Sequence, residues 1–146
     1  MASICKEILV EAHPDDVWAA VRDFGMVHRR LAVGFVADTR LDGDARIVTF
    51  ANGLVVRELL IDLDDDARRV VYSIVQGKPT HHNASMQVFA AGDGRTRLVW
   101  ITDLLPNEAA EPFRSMIEQG AAAMKQALEG RMARGQANLA EESRAR

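Results

Sequence analysis

Residues 82–104, HNASMQVFAAGDGRTRLVWITDL, decide the fold because they hold two strands joined by a tight turn. Every second residue from 84 to 90 is apolar, which is the period of a strand with one buried face. His82 is in phase with that apolar face and is predicted to point inward. Gly92-Asp93-Gly94 is typical of a hairpin turn. Residues 96–104 follow as the second strand, with Leu, Trp, Thr and Leu on one face.

Five further β-rich runs precede this hairpin, separated by short polar or glycine-containing turns. Asn52-Gly53 is the strongest of these signals, because both central residues of a two-residue hairpin turn need positive φ. Asp64-Asp65-Asp66 is expected to be a polar turn. The five runs cover residues 3–11, 34–41, 45–50, 54–63 and 68–75.

Short helices are expected after the first strand. Pro14 suits a first helical position, where its missing N–H costs nothing. Val17, Trp18 and Phe24 follow at helical spacing and predict one buried face. We assign Trp18 to the fold and not to any chemistry. A second helical turn is expected over residues 26–31.

A long C-terminal helix is predicted from Pro112 to about Met132, with Phe113, Ile117, Gly120 and Met124 on one stripe. Residues 135–146 are expected to fray as a polar tail. We therefore expect one domain over residues 1–134.

The fold class is predicted to be α+β. Seven consecutive strands with short turns form a curved antiparallel sheet, and its concave face must be buried against another element. Only the C-terminal helix is long enough to cover it. The composition, 48% apolar and 27% charged, suits one globular core.

Composition also excludes several kinds of partner. The net charge is -3, and the basic residues are spread among acidic ones, so no nucleic-acid-binding face is expected. No run approaches the roughly 20 apolar residues of a membrane span. The N-terminus lacks the apolar run of a signal peptide. With Cys5 as the one cysteine, we expect a cytoplasmic protein that is a monomer or a homodimer.

The order and spacing of several short motifs resemble a known superfamily. The resemblance covers about residues 3–130. Its motifs are Val17-Trp18, Asp23-Phe24, Leu41-Asp42-Gly43 with Arg46, Arg57-Glu58-Leu59, the Asp64–Asp66 turn, Tyr72-Ser73-Ile74, and Arg97-Leu98-Val99-Trp100 before Pro106. The chain thus resembles the helix-grip proteins, which include birch-pollen-type allergens, START lipid-transfer domains, plant abscisic-acid receptors and polyketide cyclase/dehydrases.

The resemblance implies a cavity between sheet and helix that holds a small hydrophobic molecule, such as a polyketide, a lipid or a steroid-like compound. A minority of such proteins catalyse cyclisation, aromatisation or dehydration there. The tight Asn52-Gly53 turn replaces the mobile gate loop of the plant receptors, so a hormone-latching receptor is not expected.

Strand alternation, the helix stripe and the resemblance together give a set of predicted ligand-binding residues. These are Val56, Glu58, Leu60, Tyr72, His82, Ala84, Met86, Trp100, Thr102, Phe113, Ile117, Gly120 and Met124. The run of small residues from Gly120 to Ala123 indicates either close helix–sheet packing or room for a ligand.

The longest strand admits two orientations. Burial of apolar residues alone would turn Leu59, Ile61 and Leu63 inward. The resemblance turns the opposite face inward, because the family position that matches Glu58 lines the cavity. We follow the resemblance, which leaves the three apolar residues outside as a possible dimer contact.

Glu58 and His82 are the candidate catalytic residues. A buried carboxylate needs a partner or a function, and a histidine titrates near neutral pH. Together they could move protons, while Tyr72 holds a carbonyl. No metal site is expected, because His81 and His82 point to opposite faces of one strand. No cofactor is expected either.

Three functions remain open at this point. The first is a binding or carrier protein for an apolar molecule. The second is a cyclase/dehydrase-type enzyme that uses Glu58 and His82. The third is a partner-binding module that uses the outer face of the sheet.

Overall fold

A computed structural model describes residues 2–76 and 79–145, with side chains described up to residue 130. The strands are β1 (Ala2–Val10), β2 (Val36–Asp42), β3 (Ala45–Phe50), β4 (Val55–Asp64), β5 (Arg69–Gln76), β6 (His81–Gly92) and β7 (Arg95–Leu105). The helices are α1 (Pro14–Arg22) and α2 (Ala110–Ala145), with a π-helical turn at Val27–Leu31 and a 3-10 turn at Asn107–Ala109. The α+β class, the strands and the helix order are thereby confirmed.

The seven strands form one antiparallel sheet in the order β1-β7-β6-β5-β4-β3-β2. Consecutive strands from β2 to β7 are neighbours, and β1 returns to pair with β7 along its whole length. The inner face of the sheet and one face of α2 form the core, in which Met86 and Leu98 meet Met124 and Leu128. A meander of this kind leaves its two edges at β1 and β2.

Helix α1 is fastened to the turn between β4 and β5. Pro14 occupies its first position, as the sequence predicts. The Trp18 indole donates a hydrogen bond to Asp65 Oδ1 at 2.9 Å, and Arg22 Nε donates to the same oxygen at 2.8 Å. The hydrogen bond from Arg22 lowers the pKa of the Asp65 carboxyl. The turn of three aspartates therefore holds the helix against the sheet.

A β-bulge reconciles the two orientations that were open for β4. Glu58 faces inward and is only 7% exposed. The register then shifts between Leu60 and Asp62, which turns the following residues over. Leu63 consequently packs against the core, so its predicted place on the outer face is wrong. Ile61 alone of that apolar set is strongly exposed, at 52%.

The turn between β3 and β4 differs from a two-residue hairpin. The Gly53 N–H donates to the Phe50 carbonyl at 2.9 Å, so Ala51 and Asn52 are the central residues. The Asn52 side chain accepts from the Leu54 N–H, which stabilises the turn from within. Only Gly53, at φ +90°, then needs the left-handed region.

Helix α2 is longer than the sequence predicts. It begins at Ala110, two residues before Pro112, and continues to Ala145, well past the expected end near Met132. Helix α2 thus includes residues 135–145 of the tail that is expected to fray, and the fraying of that tail stays a prediction.

Replacing Trp18 with Ala should lower the free energy of unfolding by roughly 3–5 kcal/mol, because a buried indole leaves a cavity in the core. Trp18→Phe is the matched variant: it keeps most of the packing and loses only the bond to Asp65, at a cost of about 1 kcal/mol. Urea unfolding followed by circular dichroism measures both. An unchanged midpoint in Trp18→Ala would contradict the role assigned to α1.

Candidate functional site

A cavity of about 290 Å³ lies between the inner face of the sheet and the beginning of α2. Strands β4 to β7 supply one wall and the first two turns of α2 supply the other. Five of the chain's eight Phe, Trp and Tyr residues line it, which makes its walls largely aromatic. These are Phe35, Phe50, Tyr72, Trp100 and Phe113. The volume is close to the lower end of the range usual for sites that bind small molecules.

Most of the residues proposed from the sequence lie in this wall. The eight that do so are Val56, Glu58, Tyr72, His82, Trp100, Thr102, Phe113 and Ile117. Strand alternation accounts for the wall positions of Tyr72, His82, Trp100 and Thr102, and the helix stripe for those of Phe113 and Ile117. Their contact with a ligand stays a prediction.

A smaller chamber of about 60 Å³ lies deeper in the core. Met86 and Met124, which were expected in the main cavity, line this inner chamber instead. Five residues line both spaces and so form the boundary between them: Phe35, Phe50, Glu58, Tyr72 and Trp100.

Three predicted residues line neither space. Leu60 is half-buried against the core, and Ala84 is a buried residue of the core itself. Gly120 is a packing glycine: a Cβ there would lie 3.1 Å from Phe35 and 3.2 Å from the Trp100 ring. The missing side chain of Gly120 thus admits two large neighbours and leaves no room for a ligand, as close-packed interiors generally require.

Eight wall residues of the main cavity are not among those predicted from the sequence. They are Phe35, Phe50, Leu54, Val55, Ile74, Pro79, Pro112 and Met116. Three of them come from the segment before β2, from β3 and from the turn after it, where no site residue is predicted from the sequence. Alternation along β3 carries the missing signal: Arg46, Val48 and Phe50 share one face, and all three line the inner chamber. The most important omission is Arg46.

Arg46 is the partner of Glu58. Its Nε donates to Glu58 Oε1 at 2.7 Å, and both side chains are only 9% exposed. The two residues are directly opposite each other in the register of β3 and β4. Arg46 Nη1 also donates to the Phe24 carbonyl at 3.2 Å, while the guanidinium lies 3.9 Å above the Phe24 ring and 4.9 Å from the Tyr72 ring. The buried Glu58 carboxylate is therefore paired with a guanidinium that is itself fixed by further contacts.

Tyr72 stands beside this pair as a neutral hydroxyl. Its oxygen accepts a hydrogen bond from the Trp100 indole at 3.0 Å. Burial raises the pKa of Tyr72 well above its usual value, and the neighbouring Glu58 charge raises it further. The phenol consequently keeps its proton and can donate it in a hydrogen bond.

His82 is a neutral imidazole at physiological pH. Burial lowers its pKa to about 4. Its Nδ1 accepts from the Ile74 backbone N–H at 3.0 Å, which leaves the proton on Nε2. Nε2 has no hydrogen-bond partner among the described residues, so it is available as a donor at the cavity wall. The Phe113 ring lies 5.7 Å from the imidazole.

Glu58 and His82 have separate hydrogen-bond partners, and a catalytic role for them stays a prediction. Among the described residues no hydrogen bond joins them: Glu58 bonds Arg46, and His82 bonds the backbone of β5. The reason lies in the sheet order, since β5 separates β4 from β6, whereas Arg46 is the immediate cross-strand neighbour of Glu58.

The two adjacent histidines point to opposite faces, with His81 exposed and His82 buried. Within residues 2–76 and 79–130, no group of three His, Cys, Asp or Glu side chains could hold a metal ion. No described helix is long and apolar enough to cross a membrane.

A family model described as polyketide cyclase / dehydrase and lipid transport matches residues 1–144. The chain belongs to this family. The resemblance to the helix-grip superfamily is thereby confirmed, and the family's fold is one that binds hydrophobic ligands. No curated protein matches the chain.

Several solved structures share the fold of this chain. A Thermobifida fusca protein is 28% identical, with a TM-score of 0.74 over 92% of this chain and 95% of its own. A START superfamily protein from Mycobacterium smegmatis is 13% identical, with a TM-score of 0.74 over 88% and 97%. Norcoclaurine synthase from Thalictrum flavum, solved with dopamine and hydroxybenzaldehyde, is 21% identical, with a TM-score of 0.70 over 91% and 87%.

Removing one charge of the buried ion pair should lower the free energy of unfolding more than removing both charges. Glu58→Gln leaves the Arg46 charge without its counter-ion, and we expect a loss of about 3 kcal/mol in the free energy of unfolding. The double change Arg46→Met with Glu58→Leu removes both charges and should stay within about 1 kcal/mol of the parent. Chemical denaturation of both variants tests this. A single variant as stable as the parent would show that the pair is solvated.

The neutral state of His82 predicts a pH-dependent stability. The folded pKa, about 4, lies below the ordinary value of 6.5, so the unfolded chain binds the proton more readily. The stabilisation is complete above about pH 6.5 and is lost as the pH falls toward 4. We expect the free energy of unfolding to fall by about 1.5 kcal/mol between pH 6.5 and about pH 5.

His82→Gln should flatten that slope, and His81→Gln on the exposed face should keep most of it. Urea unfolding at a series of pH values measures the difference. Equal slopes in the two variants would contradict the buried, neutral assignment of His82.

Proposed function

We propose that this protein binds a small cyclic hydrophobic molecule, of polyketide or steroid-like character, and serves as its binding or carrier protein. The observation that carries the proposal is the concentration of aromatic side chains around one cavity of about 290 Å³. Flat ring systems stack well on Phe, Tyr and Trp faces, whereas a flexible acyl chain gains less from them. Norcoclaurine synthase, which shares the fold, was solved with two small aromatic compounds.

Polar groups at fixed points in the wall would orient such a ligand. The Glu58 carboxylate accepts hydrogen bonds, while the Tyr72 hydroxyl and the His82 Nε2–H donate them. A mostly apolar pocket with a few placed polar groups is the usual design of a small-molecule site. A ring system that carries hydroxyl or carbonyl groups suits this arrangement.

Binding without catalysis is favoured by the state of the two candidate catalytic groups. Glu58 is held by Arg46, so transferring a proton to its carboxylate would break a buried ion pair. His82, with a pKa of about 4, is a weak base at neutral pH. Efficient general acid–base groups have a pKa near the working pH, whereas the pKa of His82 lies well below neutral pH.

A neutral fluorescent dye such as N-phenylnaphthylamine tests the cavity directly. Ile74→Trp should reduce dye affinity at least about tenfold, because the larger side chain fills the space that Ile74 lines. Val75→Trp is the matched control, since Val75 is the next residue, is 47% exposed and does not line the cavity. Equal affinities in the two variants would contradict the proposed site.

Native mass spectrometry of freshly purified protein would reveal a co-purified molecule. We expect an added mass that is released on unfolding and that is absent from Ile74→Trp. Turnover of such a molecule into a product by the purified protein would replace the carrier function with the enzymatic one.

A further inference from the structure

We propose that the buried Arg46–Glu58 pair makes the cavity select neutral, hydroxyl-bearing ligands and reject carboxylates of the same shape. This inference rests on the proposed function, because it concerns which members of the ligand class enter the cavity. It adds Arg46 to the site as a residue that sets specificity without being the ligand's first contact.

Glu58 lies closer to the main cavity than Arg46 does. Glu58 lines both the main cavity and the inner chamber, whereas Arg46 lines the inner chamber only. A ligand in the main cavity therefore meets the carboxylate first, with the guanidinium behind it. The two charges cancel at a distance, but at contact range the ligand experiences the negative group.

The guanidinium is also held away from the ligand. Its Nε bonds Glu58, its Nη1 bonds the Phe24 carbonyl, and its plane lies 3.9 Å above the Phe24 ring. These three contacts come from two different elements and hold one orientation. Arg46 cannot turn toward the main cavity without giving them up.

One carboxylate oxygen is left for a ligand. Glu58 Oε1 accepts the Arg46 bond, and Oε2 has no hydrogen-bond partner among the described residues. A ligand hydroxyl can donate to that oxygen, and the neutral Tyr72 hydroxyl of the same wall can donate to the ligand. A ligand carboxylate has no proton to donate, and it would place a second negative charge next to Glu58 in a desolvated site.

No other charged side chain among the described wall residues would stabilise an anionic ligand. Within the described part of the chain, Glu58 is the only Asp, Glu, Lys or Arg of the main cavity, and the His82 imidazole is neutral. The inner chamber, at about 60 Å³, has room for a few water molecules and not for a ring. A ring system thus stays in the main cavity with its polar end at Glu58.

Three probes of matched shape test the inference on the unmodified protein: naphthalene, β-naphthol and β-naphthoate. Displacement of the neutral dye at pH 7, confirmed by calorimetry, gives their affinities. We expect β-naphthol to bind at least about tenfold more tightly than β-naphthoate, with naphthalene showing that the apolar cavity is open. Equal affinities for the alcohol and the acid, or tighter binding of the acid, would overturn the inference.

Charge variants then assign the selectivity to the pair. Glu58→Gln removes the repelling charge and leaves the Arg46 cation uncompensated, so the acid should gain at least about tenfold relative to the alcohol. If Glu58→Gln does not fold, the charge-free Arg46→Met and Glu58→Leu double variant should narrow the discrimination, leaving the part that desolvation of a carboxylate imposes in any apolar cavity. Asp62→Asn is the matched control, because Asp62 is an exposed carboxylate on the same strand and outside the cavity.

The failures are distinguishable. If the folded charge variants discriminate between alcohol and acid as the parent does, the ion pair is not the source of the selectivity. The inference is then overturned, while the proposed binding function of the cavity stands. If neither the dye nor naphthalene binds, the proposed function and this inference fall together.

Discussion

The site depends on one buried ion pair, Arg46 with Glu58. A carboxylate in an apolar interior costs several kcal/mol unless it is paired and hydrogen-bonded, and here the partner comes from the neighbouring strand in direct register. The same guanidinium reaches the Phe24 carbonyl, so the segment after α1 is tied to β3 and β4 by one side chain. The ion pair thus holds the polar part of the cavity in place, with the carboxylate of Glu58 on the side of the main cavity.

Around this pair the packing leaves space in a definite position. Helix α2 meets the sheet closely at Gly120, where Phe35 and the Trp100 ring occupy the place of a side chain. Towards the beginning of the helix, Phe113 packs against Ile4 and Leu104 at the side of the sheet, and the main cavity opens beside it. Side-chain size decides where helix and sheet meet closely, since interiors are close-packed.

The polar groups of the cavity are tuned by burial more than by one another. His82 is neutral because it is desolvated, and Tyr72 keeps its proton for the same reason, with the Glu58 charge adding to the effect. Such groups suit the orientation of a bound molecule. An imidazole with a pKa of about 4 is a weak base at neutral pH, which supports the proposal of a binding function.

Local pattern alone determined the seven strands, the short helices, the long C-terminal helix and most of the wall on β5, β6 and β7, because alternation and helical spacing depend on neighbours in the chain. The inward direction of Glu58 came from the family resemblance and not from the apolar count. Only the tertiary structure decided the rest. The bulge that turns Leu63 inward depends on pairing with β5. The partner of Glu58 depends on the register of two strands, and the packing role of Gly120 depends on rings from β7 and from the segment before β2. These are contacts between segments distant in sequence, and no local pattern specifies them.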